Sequence, residues 1–174
     1  MAIIVEPTKM NLSWSDFTVS ETQLWDPGDN SWVDAYTTFQ FNMTDRAPRT
    51  VDRMLALADP LTIKIAPKAA VWSQIQQTPV LLSHEEWHYH IGIAVARAFA
   101  RHASALRARD NATLRNIFQE AFRLHFFTRV RLLQSRYDLD TGHGTNAHYQ
   151  KVWKDRMTRC LANPNSDQIG GYYL

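Results

Sequence analysis

The chain has 174 residues, 45% of them hydrophobic and 21% charged, a balance that excludes disorder, collagen and low complexity and sets a single globular domain over 1–174 as the expectation. Nineteen basic and seventeen acidic residues leave a formal charge of +2, too little to make a polyanion the default partner, so nucleic acid is not expected. The lone Cys160 excludes a disulfide-stapled scaffold, and the longest apolar stretches fall well short of the ~20 residues of a membrane span.

In chain order, Met1 to Pro7 lacks the basic start and apolar run of a secretory signal, so the expected location is cytoplasmic or reached by a non-classical route. Residues 1 to 77 read as strands and loops and residues 78 to 162 as helices, the block pattern of an α+β domain. Asp26-Pro27-Gly28-Asp29 is a turn, because proline presets φ and glycine accepts positive φ. Ala35, Thr37, Phe39, Phe41 and Met43 alternate with more polar residues at a period of two, as do Leu61, Ile63 and Ile65 just after Pro60. The four tryptophans of this half, Trp14, Trp25, Trp32 and Trp72, are expected in the core.

Thr78 followed by Pro79 predicts the start of a long helix reaching about Leu106. Asp110 and Asn111 predict a second helix start, with Leu114, Ile117, Phe118, Ala121, Leu124 and Phe127 on its apolar face and an end near Arg136. After the polar stretch from Asp138 to Gly144, Thr145 is the expected cap of a third helix whose stripe is Tyr149, Val152, Trp153 and Met157. The first two helices then form an antiparallel hairpin.

The first helix contains His84-Glu85-Glu86-Trp87-His88. Histidines four apart differ by about 40° in direction and one turn in height, so both imidazoles reach one tetrahedral Zn²⁺. Glu85 flanks the metal without binding it and can take a proton from a water that zinc has acidified. Glu86 points elsewhere, into solvent. With seven histidines in the chain, chance accounts for this triplet at a frequency of roughly 0.01, so coincidence is a weak explanation.

A catalytic zinc site has three protein ligands and one open position. The third is not the histidine of the metzincin pattern, because the positions that would carry its glycine and histidine are Ile91 and Ala94. If the hairpin turns near residue 110, Glu120 lies about 18 Å from the required level at 1.5 Å per residue. The segment after the second helix does arrive beside the motif. Its His143, between Gly142 and Gly144, is the expected third ligand, with Asp138, Asp140 and His148 as alternatives. His90, His102 and His125 are expected to be ordinary, and the arginines of the two helices are dispersed without the aromatic interleaving of a nucleic-acid face.

Three stretches carry a resemblance: Leu12-Ser13-Trp14-Ser15-Asp16-Phe17, then Leu81-Leu82-Ser83-His84-Glu85-x-x-His88, then Tyr137-Asp138-x-x-Thr141-x-His143-Gly144 with Gln150-x-x-Trp153. On these the chain resembles the small bacterial family of predicted secreted zinc-dependent proteases, otherwise known as a domain of unknown function. The resemblance implies a zincin-like metallopeptidase with His143 matching the family's downstream histidine. Two features depart from the family: His90 stands where an acidic residue is common, and members are often exported whereas no signal is visible in this chain.

The expectation is therefore an α+β, zincin-like domain in which a small twisted β-sheet packs on a helical hairpin carrying zinc. It is expected to hydrolyse peptide bonds in a peptide or protein substrate, with Glu85 as general base and Tyr137 donating to the tetrahedral oxyanion. An exposed strand near residues 61–66 would align the substrate. Two other readings share the metal: a non-enzymatic module that zinc only braces, closed by a fourth ligand from Asp138, Asp140 or His148, and a zinc amidase acting on cell-wall peptides.

Overall fold

A computed structural model of the chain describes residues 3–26, 30–44, 47–57 and 61–174. Eight strands come first: β1 (Ile3–Pro7), β2 (Phe17–Ser20), β3 (Leu24–Asp26), β4 (Ser31–Val33), β5 (Ala35–Met43), β6 (Arg49–Val51), β7 (Met54–Ala56) and β8 (Leu61–Trp72). The helices α1 (Pro79–Ala105), α2 (Asn111–Arg123), α3 (Val130–Thr141) and α4 (Ala147–Ala162) follow, and a short hairpin of β9 (Gln168–Ile169) and β10 (Tyr172–Tyr173) ends the order. The chain is thus mixed α/β, with a small sheet and a helical second half. Residues 27–29 of the expected turn, and Pro60, lie outside the described residues.

The expected alternation is present in both long strands. Ile63, Ile65, Ala69 and Val71 of β8 are buried while Lys64 and Lys68 face out. β8 is the middle of the main sheet: β5 pairs antiparallel along one edge, and β1 and then β2 pair parallel along the other. Pro67, which has no N–H to give, falls between the stretches that β1 and β2 occupy. Residues 61–66 are therefore not an exposed strand, because both edges of β8 are taken. β5 forms one edge of the sheet and β1 and β2 the other; the outer side of β5 pairs with no strand among the described residues.

Thr78 caps α1 as its sequence predicts, its side-chain oxygen accepting the Leu81 N–H at 3.2 Å. The helix lies between the sheet and the other helices, so it is buried nearly all round rather than amphipathic. Gly92 is the point of closest approach to β5, since a Cβ there would lie 2.3 Å from the Phe39 ring. Asp110 caps α2 by accepting the Thr113 N–H at 2.8 Å.

The second helical run departs from expectation in two ways. It widens into a π-type stretch over Leu124–Arg129, and it continues to Thr141 rather than ending near Arg136. Asp138 and Asp140 are consequently helical. Gly142 ends the run in the left-handed conformation, φ 55°. The third helix begins one residue later than expected, with Asn146 rather than Thr145 as cap. Its buried stripe is Trp153, Met157 and Cys160, while Tyr149 is exposed. Among the described residues no helix is long and apolar enough to cross a membrane.

None of the four tryptophans is buried in the core as expected: Trp14 packs against its margin, Trp72 is half-buried away from it, and the other two leave it altogether. Trp25 on β3 and Trp32 on β4 face each other across the hairpin, ring centroids 5.3 Å apart, and Trp32 is 62% exposed.

Candidate metal centre

Polar side chains buried on a core helix need partners, and α1 buries His84, Glu85 and His88 in its first three turns. The partner comes from the last turn of α3. Asp138 Oδ1 lies 3.0 Å from His84 Nε2 and 2.9 Å from His88 Nε2, and the two nitrogens are 3.1 Å apart. Three donor atoms thus converge on one point. Around a tetrahedral zinc with ligands at 2.0–2.1 Å, neighbouring ligand atoms stand about 3.3 Å apart, so the triangle accepts the ion after opening by a few tenths of an ångström. Two imidazoles and one carboxylate, buried together, are a donor set that zinc and other divalent ions fit.

The remaining ring nitrogens fix the tautomers. His88 Nδ1 donates to the Gln134 amide oxygen, while Gln134 Nε2 donates back to the His88 carbonyl at 3.0 Å. His84 Nδ1 faces Gln150 Oε1 at 3.4 Å. With Nδ1 as the protonated nitrogen in both rings, both Nε2 lone pairs turn to the cluster. Tyr137 supports the same pair: its ring stacks on His84 at 4.7 Å and 18°, and its hydroxyl donates to the His84 carbonyl at 3.3 Å. That hydroxyl is buried and outside the cleft, so the structure places Tyr137 behind the histidines rather than over an oxyanion.

Burial alone would keep His88 neutral, but the adjacent Asp138 carboxylate outweighs it and pushes His88 up to about 9 in the metal-free protein. Burial likewise opposes ionisation of Asp138, yet the His88 charge and hydrogen bonds from both imidazoles hold its carboxyl well below the usual range. Glu85 differs. Burial pushes its carboxyl up, against the pull of His88 and His84. The Thr37 hydroxyl stands beside it and lowers it slightly, although Glu85 Oε2 has no hydrogen bond of good geometry among the described residues.

These groups floor a cleft of about 660 Å³. Residues 35–38 of β5 and the β3–β4 hairpin, with Trp25 and Trp32, form one wall; Arg131, Gln134 and Ser135 of α3 form the other.

His143, the expected third ligand, lies at the rim. It is 60% exposed, and its Nδ1 is 3.7 Å from Asp138 Oδ1. The cause is the longer helix: Asp138 is carried inward on the last turn, whereas His143 follows the left-handed Gly142 and itself has φ 51°. Asp140 pairs with Arg136 at 2.8 Å and accepts the Trp153 Nε1–H at 3.0 Å, and His148 is exposed on α4. Gly144 does bring the backbone close, since a Cβ there would lie 3.0 Å from His84 Cβ. Glu86 is not solvated either: its carboxylate accepts the Leu12 N–H at 2.8 Å, and His90 Nε2 donates to the Met10 carbonyl at 2.7 Å. Together they tie the segment before the Ser13–Asp16 turn to α1.

Gln134 and Gln150 hold the two imidazoles from outside the cluster. Gln150 belongs to the Gln150-x-x-Trp153 stretch, where nothing in the spacing ties it to His84, and Gln134 has no sequence signal at all. Replacing Gln150 by alanine frees the His84 ring and is expected to weaken zinc binding about 10- to 100-fold, measured by competition with a chromophoric chelator.

The site is thus a candidate two-histidine, one-aspartate metal centre in a mixed α/β chain. Comparison with protein-family models, with curated proteins and with solved structures returned no match.

Proposed function

We propose that the chain is a zinc-dependent, zincin-like metallopeptidase, with His84, His88 and Asp138 as the metal ligands. The observation that carries this reading is Glu85. It is a buried carboxylate one residue from the first histidine, lining the cleft, and its Oε2 has no hydrogen-bond partner among the described residues. A structural metal site has no use for such a group, whereas a hydrolase needs a base there.

When bound, zinc supplies a Lewis acid for a carbonyl oxygen and lowers the pKa of water to about 7. Glu85 takes the proton from the attacking water and passes it to the leaving amine; its raised proton affinity suits both halves of that task. Gln134 and Gln150 hold the histidine tautomers, and Tyr137 fixes the main chain beneath His84. The free edge of β5, residues 35–38, borders the cleft and can take an extended peptide by strand addition.

One observation favours the bracing module instead: His143 Nδ1 is close enough to Asp138, at 3.7 Å, to become a fourth ligand by a side-chain rotation. The experiment that separates the two uses Glu85→Gln. Zinc-loaded wild type is expected to cleave an unfolded protein such as reduced casein, and the variant is expected to keep its zinc while losing activity about 10²- to 10⁴-fold. Zinc-loaded wild type that cleaves nothing, but unfolds on chelation, would establish the module.

A further inference from the structure

Hydrolysis of a peptide bond builds negative charge on the oxygen of the attacked carbonyl, and a hydrogen-bond donor already in place for that charge supplies a large part of the rate. Tyr137, expected to be that donor, is engaged behind the histidines with the His84 carbonyl. Gln134, on the cleft wall, is engaged with both the ring and the carbonyl of His88. His143 is placed differently. Its ring lines the cleft, is 60% exposed, and stops 3.7 Å from Asp138 Oδ1, beyond hydrogen-bond range.

The backbone beneath this ring is fixed on both sides. Gly142, His143 and Gly144 take φ 55°, 51° and 86° in succession, a left-handed conformation in which a residue other than glycine is uncommon. The His143 N–H donates to the Asp138 carbonyl at 3.1 Å, and the Asn146 N–H donates to the Thr141 carbonyl at 2.8 Å. Thr141 is wholly buried; its Oγ1 donates to the Tyr137 carbonyl at 2.7 Å and accepts the Gly144 N–H at 3.4 Å. On the other side Gly144 rests against His84, where a Cβ would come within 3.0 Å of the His84 Cβ. The loop is thus pinned both to the helical turn that carries Asp138 and to the helix that carries His84. Between its two glycines it presents one imidazole, at the mouth of the cluster. An exposed side chain whose unusual backbone is over-determined by its surroundings is a mark of functional sites.

We infer that His143 is a catalytic residue and not a ligand: its ring N–H donates a hydrogen bond to the oxyanion that forms when water adds to the peptide carbonyl. The inference rests on the peptidase reading of the same site. No bond to His143 forms or breaks, and the ring keeps its proton throughout. The oxygen it serves is charged in the transition state and neutral in the bound peptide, so the donor acts on kcat and leaves substrate affinity alone.

The test compares zinc-loaded wild type, His143→Ala and His143→Gln on reduced casein. His143→Ala is expected to lose about 10²- to 10³-fold in kcat with KM within about twofold of wild type. His143→Gln, whose amide N–H reaches about as far as the ring, should recover at least about tenfold of that loss. Zinc affinity, measured by chelator competition, is expected to be the same in all three. A further probe needs no turnover: inorganic phosphate, tetrahedral and anionic, should perturb the visible spectrum of the cobalt-substituted protein and bind at least about tenfold more weakly in His143→Ala. His143→Gly keeps the left-handed backbone without strain and is expected to show the same losses as His143→Ala. Undiminished casein cleavage or phosphate binding in His143→Ala and His143→Gly, beside an active wild type, overturns this inference alone. So does zinc affinity lowered about tenfold or more in both variants, because the ring would then be holding the ion. Wild type that cleaves nothing overturns the peptidase reading and this inference with it.

Discussion

Replacing Asp138 by alanine is expected to abolish tight zinc binding. Losing a residue that merely orients a ligand weakens such sites about 10- to 100-fold, and losing a ligand that also supplies the site's charge weakens them further. Two histidines on one turn remain, and among the described residues no other carboxylate joins their cluster. The metal-free protein should respond as well. Asp138 is the group that keeps His88 protonated, so at pH 6 the variant is expected to lose about 3 kcal/mol against urea, and much less at pH 9, where the wild-type pair is itself dissolving. Isothermal titration with zinc and urea melts at the two pH values measure both effects.

The second expected result is a pH profile of metal-free stability with its maximum near pH 6.5. In the fold His88 is pushed up from 6.5 to about 9, so its pairing contributes fully below about pH 6.5 and is lost as the pH rises toward 9. The Asp138 shift describes the same pair, and its share disappears only below the ordinary carboxylate range. His125 acts in the opposite sense. Burial, with Arg129 and His102 close by, lowers it from 6.5 to about 4, so it folds neutral, and its contribution is present above pH 6.5 and lost as the pH falls to 4. The two limbs meet near 6.5, and Glu85, whose carboxyl burial pushes up, adds to the loss as the pH rises above the ordinary carboxylate range. Zinc should remove the alkaline limb alone, because coordination replaces the proton that His88 holds, and loading at pH 7.5 should release protons in proportion. Thermal melts of metal-free and zinc-loaded protein from pH 4 to 9 test this. An alkaline limb that persists with zinc bound would mean the ion is elsewhere.

Much of this arrangement is legible in the sequence where local chemistry decides it. Thr78-Pro79 and Asp110 can only start helices, and the alternation in Ala35–Met43 and around Ile63 and Ile65 makes strands whatever surrounds them. The spacing of His84 and His88 brings both Nε2 atoms to one point for the same reason. What could not be read depends on tertiary packing. Asp138 to Thr141 looks like a loop because it is polar and meets glycine, yet Tyr137 and Thr141 are buried against neighbouring helices, so the helix persists until Gly142. The π-type stretch at Leu124–Arg129 changes the register of the second run against α1, which no spacing rule anticipates. Together these carry Asp138 in and leave His143 at the rim. Trp25 and Trp32 read as core because tryptophan usually is; on a two-stranded hairpin they have no second layer to enter.

The proposed centre is one divalent ion held by two imidazole nitrogens and one carboxylate oxygen. X-ray absorption at the zinc edge on protein loaded with one equivalent measures that shell directly. Two histidine nitrogens and one or two oxygens at about 2.0–2.1 Å and no sulfur are expected, unchanged in His143→Ala and lost in Asp138→Ala. A sulfur ligand, which only Cys160 or a methionine could supply, or a spectrum that survives Asp138→Ala, would contradict it.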